Sequence, residues 1–270
     1  VKRTCPDMGA HVTLTWPHAW WARVTISNPT RMNAMNRDMW VELPRVFDAI
    51  AANPLARAVE LVGDAHGKAF CSGGDISEYP SFRFDQTKLT HFHEELVWPG
   101  LRAILACDLP VVANISNTCM GAGLEMASCA DIRLANLGAK FGAPIAKLGF
   151  PMAPKESAIV AHAVGDAVAR NVLLLAAVVG SERLLHTGFL SHACPADALD
   201  MEACRIMHRL EKLSPQAAAF NKQGLRARWP DMLQDAVGGV LPIGQAYAYA
   251  DSDQHREGIA AFLAKRPPEF

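Results

Sequence analysis

The strongest constraint on the fold is an alternation that runs through the first two thirds of this 270-residue chain. Short β-rich runs at residues 23–27 (RVTIS), 57–62 (RAVELV), 110–115 (PVVANI) and 131–135 (DIRLA) read as strands. Helical patterns separate them, at residues 35–52, around 91–106 and at 124–129. Strands divided by helices need crossover connections, which predicts an α/β layer architecture. From about residue 153 the pattern turns almost wholly helical, over 155–177, 182–187, 196–213, 215–227 and 258–264. Gly188 and Pro215 punctuate those helices, and Pro267 with Pro268 ends the last one. No polar linker divides front from back, so one core with a helical cap is expected.

Charge and hydropathy narrow the function classes. The formal net charge is −1, which argues against a general nucleic-acid or membrane-surface partner. The longest apolar run, residues 172–179 (VLLLAAVV), is far short of the roughly 20 residues that cross a bilayer. The first sixteen residues contain no apolar stretch of a secretory signal. The seven cysteines, at positions 5, 71, 107, 119, 129, 194 and 204, include no CxxC pair. Reduced thiols in a cytoplasmic protein are expected, with neither a disulfide framework nor a zinc site.

Two glycine-containing turns sit between a strand-like and a helix-like run: KAFCSGGDI at 68–76 and CMGAGLEMASCA at 119–130. A sharp turn into a helix leaves backbone N–H groups without helical partners, in a field that favours negative charge. Two such turns brought together can hold one oxygen between two donors, an oxyanion hole. Taken singly, Gly73 and Gly74 also read as ordinary turn residues. A dinucleotide fingerprint beginning Gly121-Ala-Gly123 fails at Met126, where a small residue is required, and no GKS or GKT follows either turn. Glu125 falls in the first turn of the second helix, where a structural role as dipole partner is open to it. Its apolar neighbours Leu124 and Met126 favour a second role, because desolvation raises a carboxyl toward the range useful for proton transfer.

These two segments resemble the signatures of the enoyl-CoA hydratase/isomerase (crotonase) superfamily. FCSGGDI is similar to its strand ending in Gly, a small residue and Asp. CMGAGLEMASCADIRLA is similar to its glycine turn followed by Glu and a strand beginning Asp-Ile. The resemblance extends through NPTRMNAMNRDMW, AKFGAPIAKLGFPMAP, SPQAAAFNKQGLR and HREGIAAFLAKRPPEF, nearly the whole chain. It implies a spiral of ββα units over residues 1–200 and a helical C-terminal region over 201–270 that packs trimers or dimers of trimers. It also implies an acyl-CoA substrate, with coenzyme A carried as part of that substrate and no prosthetic group or metal. The implied oxyanion donors are the N–H groups of Gly74 and Ala122, with Glu125 as proton-transfer group. Arg31, Met32 and Ala34 are expected beside the nucleotide and pantetheine of coenzyme A. Gly74, Asp75, Ile76, Ser77 and Ala122 are expected to touch the ligand, with Asp75 holding the oxyanion loop. Lys265, at the end of the last helix, is a candidate phosphate contact or simply a cationic helix cap.

One departure keeps the reaction open. Where hydratases of the family carry a second glutamate, in a pattern like FGxPE, this chain reads Phe141-Gly142-Ala143-Pro144-Ile145. Hydration with Glu125 as the proton-transfer group is the first reading. Hydrolysis of a thioester, or of a β-diketone carbon–carbon bond, is an alternative, and a catalytically weakened CoA-binding paralogue is another. A cluster at 91–95 (HFHEE) falls in the region that shapes the acyl pocket. On a regular helix His91 and Glu95 share a face while His93 points elsewhere, so the cluster reads as a solvated helix face rather than a chelate.

Overall fold

The computed structural model describes residues 9–226 and 247–269; Cys5 and Ala227 lie outside the described residues. The strands are β1 (His11–His18), β2 (Trp21–Ser27), β3 (Ala58–Gly63), β4 (Val111–Ile115), β5 (Thr118–Met120), β6 (Ile132–Asn136), β7 (Lys140–Gly142), β8 (Val178–Gly180) and β9 (His192–Cys194). The main sheet has the order β1-β2-β3-β4-β6-β9, antiparallel at β1–β2 and parallel from β2 onward. A three-stranded sheet of order β5-β7-β8 stands beside it.

Strand alternation decides which side chains meet which layer. Ala22, Val24 and Ile26 of β2, Val59 and Leu61 of β3, and Val111, Ala113 and Ile115 of β4 enter the large core. That core is covered by α1 (Arg37–Ala51), α3 (Trp98–Ala106) and α4 (Ala122–Cys129). Asn36 caps α1 by accepting from the Met39 N–H at 2.9 Å, and Met39, Trp40, Leu43, Phe47 and Ile50 form its buried stripe. The alternate residues Trp21, Ala58, Val112 and Leu134 face the other way, against Leu199, Ala203, Ile206 and Met207. Those four belong to α8 (Leu199–Glu211), and their spacing of four, three and one makes a single apolar stripe. Glu60, buried on the same face, accepts from Trp21 Nε1 at 3.1 Å, Arg23 Nε at 2.7 Å and Asn114 Nδ2 at 3.1 Å. Three donors and one ion pair offset the cost of burying its charge.

The remaining helices are α2 (Gln86–His91), α5 (Pro154–Val164), α6 (Asp166–Leu174), α7 (Ser181–His186), α9 (Pro215–Arg226) and α10 (Asp253–Leu263). The back of the chain is less uniformly helical than its pattern predicts. Gly165, at φ 82°, breaks the helix expected over 155–177 into α5 and α6. β8 and β9 also interrupt it, each three residues long and thus too short to show a period of two. A cavity of about 360 Å³ opens where β5, α4, the turn at 144–148 and the end of α10 converge.

Candidate active site

The two glycine turns are brought together by hydrogen-bond ladders on either side of residues 70–75. On one side Phe70 N–H donates to Ser116 O at 2.8 Å, Cys71 N–H to Thr118 O at 3.0 Å and Met120 N–H to Cys71 O at 2.9 Å. On the other, Ser72 N–H donates to Met32 O at 3.1 Å, Met35 N–H to Gly73 O at 2.8 Å and Asp75 N–H to Met35 O at 2.7 Å. Gly73 at φ 120° and Gly121 at φ 46° adopt backbone that L side chains avoid, and a Cβ on Gly121 would lie 3.5 Å from Gly73 Cα. A Cβ on Gly123 would come within 2.6 Å of Cys71 O, so glycine is what lets α4 pack directly on the backbone at Cys71. Two amides are left over. Gly74 N–H falls between the bonded amides of Met35 and Asp75, and Ala122 is the first helical residue, without a carbonyl four positions back. Among the described residues neither N–H donates a backbone hydrogen bond, and both residues line the cavity.

Glu125 lies on the cavity wall three residues beyond Ala122, on the same helix face. Desolvation is the main cause that pushes its pKa up from 4.5 to about 8; the nearby Glu156 carboxyl raises it further and the Arg83 guanidinium opposes the rise. Glu156 is buried in the first turn of α5, where its Oε1 is 2.9 Å from His93 Nδ1. His93 itself lines the cavity and stacks on Tyr247, with 5.5 Å between ring centroids. Ile145 also lines the cavity, so no carboxyl enters from that position. The cavity wall thus holds two residues whose N–H groups have no backbone partner, one carboxyl poised to hold or release a proton near neutral pH, and largely apolar side chains.

A sequence profile of the enoyl-CoA hydratase/isomerase family matches residues 19–270. The chain belongs to the enoyl-CoA hydratase/isomerase family. It is 32% identical to a probable enoyl-CoA hydratase of Rhodobacter capsulatus, over 92% of this chain and 93% of that one. It is 29% identical to a probable enoyl-CoA hydratase of Mycobacterium bovis at the same coverage of both chains. The crystal structure of an enoyl-CoA hydratase/carnithine racemase from Magnetospirillum magneticum superposes with a TM-score of 0.77 at 32% identity, covering 96% of this chain and 94% of that one. The α/β crotonase fold expected from the motifs is therefore the fold of this chain.

Seen in that family, the residues singled out by the motifs fall into two groups. Gly74, Ile76, Ala122 and Glu125 share the cavity wall. Arg31, Met32, Ala34, Asp75 and Ser77 form a hydrogen-bonded rim next to it. There Asp75 Oδ1 accepts from Ser77 N at 3.1 Å and Ser77 Oγ at 2.6 Å, and its Oδ2 lies 3.3 Å from Arg31 Nε. Ser72 Oγ donates to Arg31 O at 3.0 Å, which ties the 31–34 loop to the first glycine turn. Lys265 is exposed one turn beyond Phe262, the residue through which α10 reaches the cavity.

The HFHEE expectation is corrected by the backbone. Residues 92–97 form a π-helical turn between α2 and α3, which rotates His93 inward. His91 and Glu95 are exposed as expected, whereas His93 bonds Glu156 and Glu94 bonds both Lys155 and the Tyr247 hydroxyl, the latter at 2.8 Å. The cluster is half wall and half surface. Among the described residues no group of three or more His, Cys, Asp or Glu is placed to hold a metal ion. Motif reasoning passed over Glu156 and Arg83 altogether. Glu156 shows only as an acid in a helix's first turn, and Arg83 as one cation in SFRFD.

Proposed function

We propose that this chain is an enoyl-CoA hydratase-like enzyme, in which Gly74 and Ala122 hold the thioester carbonyl oxygen and Glu125 moves the proton. The observation that carries the reading is the position of Glu125, half-buried on the cavity wall it shares with Gly74 and Ala122, with its pKa raised to about 8. At neutral pH such a carboxyl is available as an acid and is readily cycled as a base. Water adds its oxygen to C3 of the enoyl thioester, and the C2=C3 electron pair moves toward the carbonyl. The resulting enolate oxygen is held between the two N–H donors. Glu125 gives its proton to C2 and takes the one that water loses, so that it ends unchanged. Coenzyme A, as part of the substrate, would lie along the 31–34 loop, with Lys265 near its phosphates. The protein would work in the cytoplasm as a trimer or dimer of trimers.

The test is loss of enoyl-thioester absorbance with crotonyl-CoA for wild type, Glu125→Gln and Ile145→Glu. Wild-type turnover that falls about 100- to 10,000-fold in Glu125→Gln, with binding of a saturated acyl-CoA retained, supports the reading. Turnover that survives the substitution overturns it. Ile145 favours one second reading, hydrolysis of a thioester or of a β-diketone C–C bond, because activating water needs a single carboxyl. Release of free thiol from acyl-CoA would identify thioester cleavage, which hydration does not produce.

A further inference from the structure

Buried polar atoms without partners concentrate at one end of the cavity. Among the described residues six buried side-chain nitrogens and oxygens lack a hydrogen-bond partner, and four of them belong to Arg83, Tyr249 and His255. They are Arg83 Nε and Nη2, Tyr249 Oη and His255 Nε2. All three residues gather round Phe150, a residue of the cavity wall. The Arg83 guanidinium lies 3.9 Å from its ring centroid, the His255 ring 5.3 Å and the Tyr249 ring 6.5 Å. Native interiors leave few such atoms unpaired, and a cluster of them marks a place where a polar partner belongs.

Arg83 has the larger need. It is 1% exposed, lines the cavity, and is packed between the rings of Tyr79 and Phe150. Ring faces stabilise a cation but accept no N–H···O bond of ordinary strength. Among the described residues no carboxylate forms an ion pair with it. Glu125, the cavity carboxyl that feels the Arg83 charge, keeps its proton into the neutral range. The two unpartnered nitrogens, Nε and Nη2, lie on one edge of the guanidinium. Their N–H bonds run parallel there, the spacing that the two oxygens of a carboxylate match. Burial pushes the Tyr249 pKa up, with the neighbouring Arg83 opposing the rise, so the hydroxyl keeps its proton, and among the described residues its oxygen has no hydrogen-bond partner. His255 donates through Nδ1 to Ala250 O at 2.9 Å, which leaves Nε2 as an acceptor for a hydroxyl.

We infer that this end of the cavity is a carboxylate subsite, and that the substrate is the mono-CoA thioester of a dicarboxylic acid. Its free carboxylate takes both donors of the Arg83 edge, with the Tyr249 hydroxyl as a third. The inference rests on the acyl-CoA reading above and adds the acyl class. An unsubstituted alkyl chain in this cavity leaves a buried guanidinium without acceptors, which disfavours it.

The test is calorimetric binding of saturated acyl-CoA ligands in matched pairs. Butyryl-, valeryl- and hexanoyl-CoA are compared with succinyl-, glutaryl- and adipyl-CoA, in which the terminal methyl is replaced by carboxylate. At one length or more the carboxylated ligand is expected to bind about 10- to 100-fold more tightly than its partner. Arg83→Met is expected to remove that preference, and Arg83→Lys, which keeps the charge without the paired edge, to reduce it. Uncharged ligands binding as well or better at every length overturn the inference, as does a preference undiminished in Arg83→Met. The wild-type comparison decides even where a variant fails to fold. Binding of the uncharged series alone leaves the acyl-CoA reading standing and removes only the subsite; binding of neither series removes both.

Discussion

At the scale of single residues, the proposed chemistry rests on two amides and one carboxyl, and each is open to test. Ala122 is the first residue of α4, a position where proline keeps the helix and removes only its N–H. Ala122→Pro should therefore lower kcat about 100- to 1000-fold while circular dichroism and acyl-CoA binding change little. Glu125 makes a different prediction through linkage. Its folded-state pKa of about 8 stands above the ordinary 4.5, so the folded state holds the proton across that interval. Stability is greatest below about 4.5 and is lost as pH rises through 8. Glu125→Gln should flatten this fall, melting a few degrees higher than wild type at pH 9 and nearly alongside it at pH 4. Glu125 was legible in the sequence because its neighbours and its glycine turn are local. Glu156, His93 and Arg83 were not: they come from α5, the π-helical turn and the loop before α2, and only the tertiary fold makes them neighbours.

At the scale of elements, the four strands read from the sequence are β2, β3, β4 and β6, found within one or two residues of their expected bounds. They are consecutive parallel strands of the main sheet, and each is rich enough in β-branched and apolar residues to show as a strand in the sequence. β5, β7, β8 and β9 are each three residues long and were not legible, although β5 carries half of the ladder that builds the site. Lys222 is the buried one of several α9 side chains, Gln223 and Arg226 among them, that tie the helix to the body. Lys222, buried, donates to Asp131 Oδ2 at 2.6 Å and Leu109 O at 2.9 Å, tying the helix to the starts of β4 and β6. Lys222→Met keeps the stem and loses both bonds; a drop of about 1–3 kcal/mol in urea unfolding is expected. An unchanged midpoint would mean that α9 is held by other contacts.

Across the whole molecule, one sheet serves two cores, with α1, α3 and α4 on the catalytic side and α8 on the other. α10 closes over the site with little room to spare: a Cβ on Gly258 would collide with the Leu148 backbone. No helix among the described residues is long and apolar enough to cross a membrane. Several large apolar side chains nevertheless stay exposed on this single chain, among them Phe220 and Leu225 of α9 and Phe262 of α10. The proposed assembly predicts a sedimentation mass of three or six chains that does not fall on dilution to micromolar concentration. A monomer at all concentrations would remove the trimer from the reading.

The polarising pair at this site is built from main chain, and that divides the work of the sequence in two. No side-chain change other than to proline can delete an amide, so the proposed first step would be inherited with the path of the backbone. The walls are different: Ile145, His93, Phe150 and Arg83 are all side chains, and each can be exchanged without disturbing the ladders that set Gly74 beside Ala122. On the proposed chemistry, a lineage carrying this fold can therefore drift from one acyl group to another in single steps while keeping both amides. The substrate is written in letters and the chemistry in shape.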